Sequence, residues 1–364
     1  MFKRRLRERK LTVSRRNSVI VAVITSIIIG VSVSIAYSVM SSANVNTFSG
    51  NIVRIGYFPN LSHATALVGV ARGTFEQVLG DEVRVDYKVF NAGPAAIEAL
   101  FTNQVDITYV GPSPAINGYM RTNGEGLRII AGAASGGALF VVRADSGIDS
   151  PEDLAGKKLA SPQYGNTQDV SLKSYIIEHG LQLAQYGGNV HVISATNSDI
   201  MTLFLKKEID GAWVPEPWGT ILIRDANGKI FLDERDLWPD GEFATTVLIV
   251  NTEFLEKRPD LVKKFLQAHV ETTLWINEHP EEAEKVVNAQ LKTLLGKELP
   301  VDVIHEAFSR MEVTYSPMKS SLFKFADEAY QLGLLERERP DLSDIYYTSL
   351  LNEVLKEKNL QLIQ

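Results

Sequence analysis

Residues 105–120 read VDITYVGPSPAINGYM, and the fold can be argued outward from them. Asp106 to Val110 is a short run rich in β-branched and aromatic residues, the composition of a strand. Gly111-Pro112-Ser113-Pro114-Ala115 follows, where two prolines fix a turn, as Pro94 opens the preceding helix at a position where its missing N–H costs nothing. Ser113 to Met120 then reads as a helix. The same alternation spreads in both directions. Strands are expected at Val53–Tyr57, Val83–Val89, Arg128–Ala131 and Leu139–Arg143, with helices at His63–Leu79 and Gly93–Thr102. A second series has strands at Lys158–Ala160, Val190–Ile193, Gly211–Val214 and Ile230–Asp233, and helices at Thr167–His179, Ser198–Lys206 and Pro217–Asp225. Strand Thr246–Val250 closes the alternation. This is the pattern of an α/β fold with parallel strands.

Residues 252–364 change character. Glu, Lys and Leu dominate, and Pro259, Pro280, Pro300 and Ser343 mark helix starts, so an almost wholly helical tail is expected on an existing core. Two α/β series and a tail suit two lobes around a cleft: residues 51–144 with 242–364 as lobe 1, and 145–241 as lobe 2. Trp238-Pro239-Asp240-Gly241 then stands where a hinge belongs.

The N-terminus is of another kind. Residues 1–16 hold eight Lys and Arg against Glu8, a charge of +7, so the other 348 residues carry −14 of the net −7. A nucleic-acid-binding protein needs its positive charge on the folded part, so that class is excluded. Residues 18–40, SVIVAVITSIIIGVSVSIAYSVM, contain no charge and as a helix span roughly 30 Å, the thickness of a bilayer core. Positive residues stay inside, so segment 17–40 is expected to be a single membrane anchor with everything beyond it outside. A cleaved signal, with Ser41-Ser42-Ala43 as a weak cleavage site, is the alternative. Residues 41–50 read as a flexible tether. The chain has no cysteine, which removes disulfides, thiol nucleophiles and a lipid-anchored Cys.

Ligands in such sheets bind beyond the carboxyl ends of the strands, so those loops hold the candidates. Asn60, Ser62 and His63 follow the first strand, with Asn60 or Ser62 placed to cap a helix. Ser113 presents a hydroxyl at a helix start, and Ser135-Gly136-Gly137 follows the fourth strand. Asn166 and Thr167 open the first helix of the second series. Glu216 lies between two prolines and two indoles in Trp213-Val-Pro-Glu-Pro-Trp218. Each has a plainer reading as helix punctuation or aromatic wall. Signatures of catalysis are absent: there is no H-E-x-x-H, no P-loop and no G-x-S-x-G, and the six histidines lack ligand spacing. No enzyme, metal or cofactor is expected.

Gly56-Tyr57-Phe58, Phe90-Asn-Ala-Gly-Pro94, Gly111-Pro-Ser-Pro-Ala115, Gly165-Asn-Thr167 and Glu216-Pro-Trp218 together resemble the solute-binding proteins of ABC importers for aliphatic sulfonates. These belong to a wider nitrate, sulfonate, taurine and pyrimidine-precursor group, and the resemblance covers about residues 51–335. It implies a two-lobed periplasmic-binding-protein-like fold (type II) with two crossovers, and a small organic anion held in the cleft by helix starts and small polar side chains. An ABC permease with its ATPase would be the partner, and a monomer is expected. Carried over residue by residue, it points to Asn60, Ser62, His63, Ser113, Ser135, Gly136, Asn166, Thr167 and Glu216. No cleft motif contains an arginine. Alternatives are a binding protein for nitrate, taurine or a thiamin pyrimidine precursor, in which Glu216 would hold an amino group. A pyrimidine-precursor or menaquinone-pathway enzyme would instead use His63 and Glu216 as acid and base.

Overall fold

Strand β1 (Ile52–Tyr57) alternates half-buried and buried residues before becoming fully buried, and it pairs in parallel with β2 (Arg84–Val89) and β3 (Ile107–Val110). Tyr57 lies opposite Val89, and Gly56 opposite Thr108, so all three strands end along one edge. The computed structural model describes residues 51–335 and 341–363. The expected basic segment 1–16, anchor 17–40 and tether 41–50 lie outside them. Among the described residues no helix is long and apolar enough to cross a membrane.

From the strand ends the chain passes into helices. A 3-10 turn at Leu61–His63 leads to α1 (Ala64–Arg72), and Gly73, at φ +66°, breaks the single helix expected here before α2 (Thr74–Leu79). Helix α3 (Gly93–Phe101) follows β2, and α4 (Pro112–Arg121) follows β3, each with Pro in its first turn.

Strand β4 (Leu127–Gly136) is longer than the expected Arg128–Ala131 and takes in Ser135 and Gly136, which the sequence places after it. One residue later β5 (Ala138–Arg143) opens a second sheet, completed by β6 (Lys158–Pro162), β7 (His191–Ala195), β8 (Gly211–Pro215) and β9 (Gly228–Asp233) in the order β7-β6-β8-β5-β9. Helices α5 (Thr167–Glu178), α6 (Asn197–Leu205) and α7 (Trp218–Asp225) each follow a parallel strand of this sheet. Two 3-10 turns, Glu234–Leu237 and Pro239–Gly241, then lead to β10 (Ala244–Asn251), back in the first sheet, whose order is β11-β4-β10-β3-β1-β2.

Both sheets are mixed, which corrects the all-parallel expectation. Strand β5 enters the second sheet from the edge where its parallel strands end, so it runs antiparallel to β8 and β9. Strand β10 re-enters the first sheet from the corresponding edge and runs antiparallel to β3 and β4. All eight residues of β10 are buried, as its central place requires.

The tail departs from expectation at two points. After α8 (Thr252–Lys257), α9 (Pro259–Glu278), α10 (Pro280–Leu295) and α11 (Val301–Phe308), β11 (Met311–Val313) adds an edge strand to β4. Ser343 starts no helix; after α12 (Lys319–Gln331), α13 begins at Ser349 (Ser349–Glu357). Helices α9 and α10 pack on α1 and α2, whereas α11 packs on α7 and α12 lies against both α4 and α5. The tail thus touches helices of both sheets. Hydrophobic cores sit under each: Phe243, Phe325 and Val247 are among those of the first, and Phe140 and Trp213, stacked at 5.3 Å, belong to the second.

Candidate functional site

The strand-end edges of the two sheets meet. Leu61 N–H donates to the Glu216 carbonyl at 3.0 Å, joining the turn after β1 to the turn after β8. A second meeting joins α4 to α5: a Cβ on Gly111, the N-cap of α4, would lie 2.3 Å from Thr167 Oγ1. Only a residue without a side chain lets the two helix starts come this close. Ser113 is in the first turn of α4 and Thr167 opens α5; they are 2% and 1% exposed, and neither hydroxyl has a hydrogen-bond partner in the protein. Buried hydroxyls are normally paired, so two orphans at converging helix starts call for an acceptor from elsewhere.

The other predicted residues take varied places. Asn60 is the N-cap of the Leu61–His63 turn, but neither it nor His63, the N-cap of α1, makes a side-chain cap. Ser62 is buried beside them. The Phe58 backbone N–H donates to His63 Nδ1 at 3.3 Å, and the imidazole lies 4.3 Å from the Phe58 ring. Burial pushes the His63 pKa down to about 3, so the ring is neutral and carries its proton on Nε2. Asn166 precedes α5 without a side-chain cap, its Nδ2 donating to Gln168 Oε1 at 3.1 Å.

Ser135 and Gly136 are brought to the crossover instead. Ser135 Oγ accepts from Phe243 N–H at 3.2 Å, and the Gly136 carbonyl accepts from Thr245 Oγ1 at 2.5 Å. Glu216 is fully buried, and its carboxylate accepts from Thr220 N–H (2.9 Å), Thr220 Oγ1 (2.9 Å) and Arg310 Nη1 (3.0 Å). Burial pushes its pKa up, against the pull of Thr220 and Arg310.

Two features of the candidate site escaped sequence reasoning. Asp169 is fully buried and accepts from Ser161 Oγ (2.7 Å), Gly165 N–H (2.8 Å) and Lys173 Nζ (2.6 Å), fixing the loop that presents Thr167. The Asp169/Lys173 spacing of four residues was the available signal. Arg310, just after α11, showed only an ordinary four-residue spacing from Glu306, because its partners Thr220 and Glu216 are 90 and 94 residues away. A cavity of about 130 Å³ opens beside the same helix starts, lined by Pro94, Ile97, Pro114 and Leu334 and by Tyr164 and Arg121.

Two mixed sheets, with strand ends and helix starts turned toward one seam, define the class of periplasmic-binding-protein-like α/β folds. The chain belongs to the NMT1-like family, which matches residues 50–291. It is 28% identical to the taurine-binding periplasmic protein of Escherichia coli (strain K12) over 225 residues, 62% of this chain and 67% of that one. It is 24% identical to a Bacillus subtilis (strain 168) protein named for aliphatic-sulfonate binding, over 84% of this chain and 88% of that one. The fold is shared with the alkanesulfonate-binding protein SsuA from Xanthomonas axonopodis pv. citri bound to MOPS (TM-score 0.69, 16% identity), covering 82% of this chain and 99% of that one.

Proposed function

We propose that this protein is the extracytoplasmic solute-binding component of an ABC importer, a binding protein and not an enzyme, which captures a small organic anion and delivers it to a permease. The observation that carries this reading is the pair of orphaned hydroxyls, Ser113 Oγ and Thr167 Oγ1, at helix starts that meet across the seam. Helix starts contribute roughly 0.3–2 kcal/mol each toward a negative charge, and charge-assisted hydrogen bonds about 1.5–3 kcal/mol each. A few together, less the cost of association, reach about −8 kcal/mol, micromolar binding.

An aliphatic sulfonate fits best. Its three oxygens match hydroxyl and N–H donors, and its hydrocarbon chain would take the neighbouring cavity, lined by Pro94, Ile97, Pro114 and Leu334 together with Asn117, Arg121 and Tyr164. Nitrate would leave that space unused. A taurine ammonium would need a free carboxylate, and that of Glu216 is taken up by Thr220 and Arg310. Asn60, Ser62, His63 Nε2 and Asn166 complete the proposed anion site, with Ser135, Gly136 and Glu216 as its hinge-side wall. The expected boundary at 144/145 moves to the crossing before β5, since β5 pairs with β8 and β9: residues 51–136 with 242–363 would form one lobe and 138–241 the other, and residues 18–40 would anchor the protein in the membrane with the lobes outside. The names of the Escherichia coli and Bacillus subtilis relatives support the class of ligand.

Calorimetry with butane-1-sulfonate, taurine, nitrate and a thiamin pyrimidine precursor tests the reading. Wild-type protein is expected to prefer the alkanesulfonate. Thr167→Val, which removes only an unpartnered hydroxyl, should keep the fold and weaken binding about tenfold, whereas Thr167→Asp places a like charge at the anion and should abolish it. Binding of nitrate or the pyrimidine alone sinks the sulfonate assignment, and undiminished binding by Thr167→Asp sinks the site.

A further inference from the structure

Three hydrogen bonds close a ring behind the seam. Gly137 N–H donates to the Arg310 carbonyl at 2.9 Å, Glu216 N–H donates to the Gly137 carbonyl at 2.9 Å, and Arg310 Nη1 donates to Glu216 Oε1 at 3.0 Å. The ring ties together the tail, the first crossover and the end of β8. A fourth bond leads out of it to the other side of the seam, from Leu61 N–H to the Glu216 carbonyl. Leu61 opens the turn that carries Ser62 and His63.

The energetics of the ring rest on a charge. The Glu216 side chain has no solvent exposure and that of Arg310 has 12%. A buried carboxylate is tolerated only when it is paired, and removal of one partner costs more than the pair is worth because the other charge is stranded. Thr220 supplies two donors, and Arg310 supplies the charge in direct contact, with Arg235 a more distant cation that also feels Glu216. Arg310 is itself held by Glu306 Oε1 at 2.6 Å, and α11 is fastened to α7 by the Arg224–Asp302 ion pair. The tail therefore grips the end of β8 from outside.

We infer that Arg310 is a positioning residue: by neutralising Glu216 it sets the Glu216 backbone, and through that carbonyl it holds the Leu61–His63 turn against the second sheet. Its side-chain hydrogen bonds go to Glu216, Thr220 and Glu306 and not to that turn. The consequence for ligand rests on the solute-binding reading above; the hold on the turn does not.

Residue-resolved amide hydrogen exchange on the full chain tests it without ligand. In Arg310→Gln the Leu61 and Glu216 amides should exchange at least about tenfold faster, with Val53 and Ile55 of β1 within about twofold of wild type. Glu216→Gln combined with Arg310→Gln strands no charge and should return both amides to within about threefold. If Arg310→Gln does not fold, Arg310→Lys, which keeps the charge but loses the fork, carries the comparison and should give an intermediate acceleration. Unchanged Leu61 exchange, equal acceleration in β1, or no rescue by the double variant overturns the inference. With butane-1-sulfonate as probe, Arg310→Gln should speed dissociation about tenfold and leave association within about twofold. Wild-type protein that binds no member of the anion panel removes the solute reading, while the exchange measurement still decides what Arg310 holds.

Discussion

Glu234, 1% exposed, accepts from Ser171 Oγ at 2.8 Å and Trp213 Nε1 at 2.6 Å, and burial pushes its pKa up to about 7. The folded state therefore holds a proton that the unfolded state releases near pH 4.5. The associated stability is fully present below that value and is lost as pH rises through about 7. Glu234→Gln removes the titration and keeps the contacts. Urea unfolding at pH 5 and pH 8 should show wild type losing on the order of 2 kcal/mol relative to the variant at the higher pH; equal differences at both would count against it. At this scale the sequence was informative about where polar residues gather. It was not informative about what they face. Ser113 and Thr167 could be picked out as hydroxyls at helix starts because proline and strand patterns mark those starts. That Glu216 is occupied from behind could not be read, since Arg310 lies 94 residues away and nothing local distinguishes it from a surface arginine.

Strand β4 gives the sharpest test at the level of elements. The Gly132 N–H donates to the Tyr315 carbonyl at 2.9 Å, and a Cβ on Gly132 would lie 1.8 Å from the Ser316 carbonyl oxygen. Gly132→Ala must push the 314–317 segment off the strand, since backbone, unlike a flexible side chain, cannot turn aside. A loss of about 1–3 kcal/mol is expected in urea unfolding; a loss below about 0.5 kcal/mol would show that the segment yields freely. Strands β1, β3 and β10 were legible because runs of β-branched residues admit few other readings. Strand β11 was not, because Met311-Glu312-Val313 has no pattern of its own and is a strand only through pairing with β4. The same holds for α11 and α12, whose helical character was plain while their attachment to α7 and α5 was not.

For the molecule as a whole, each crossing between the sheets contains a pair of left-handed residues. Gly136 and Gly137 have φ of +69° and +71°, and Asp240 and Gly241 have +54° and +74°. Left-handed residues at both crossings suit a hinge on the two-lobe reading, because they turn the chain sharply at the end of β4 and in a single 3-10 turn, where little regular structure stiffens it. Small-angle scattering with and without saturating butane-1-sulfonate should show a smaller radius of gyration in the bound form; one curve for both states, with binding established by calorimetry, would exclude hinge closure. The division into two α/β series was visible in the sequence as two runs of strand and helix. The mixed direction of the strands was hidden, because direction is set by the edge at which the chain enters each sheet.

The order of the strands also has a bearing on biosynthesis. The second sheet uses one continuous stretch, residues 138–233, whereas the first needs β10 between β3 and β4 and β11 at its edge. As the chain emerges N-terminus first, the later-encoded sheet is complete about 80 residues before the earlier one, which is several seconds at ribosomal rates of about 5–20 residues per second. Until β10 (Ala244–Asn251) has emerged, β3 and β4 have no common neighbour, and for the rest of that interval the β4 edge waits for β11. The hazard of aggregation in the nascent chain falls on the half that begins first and finishes last.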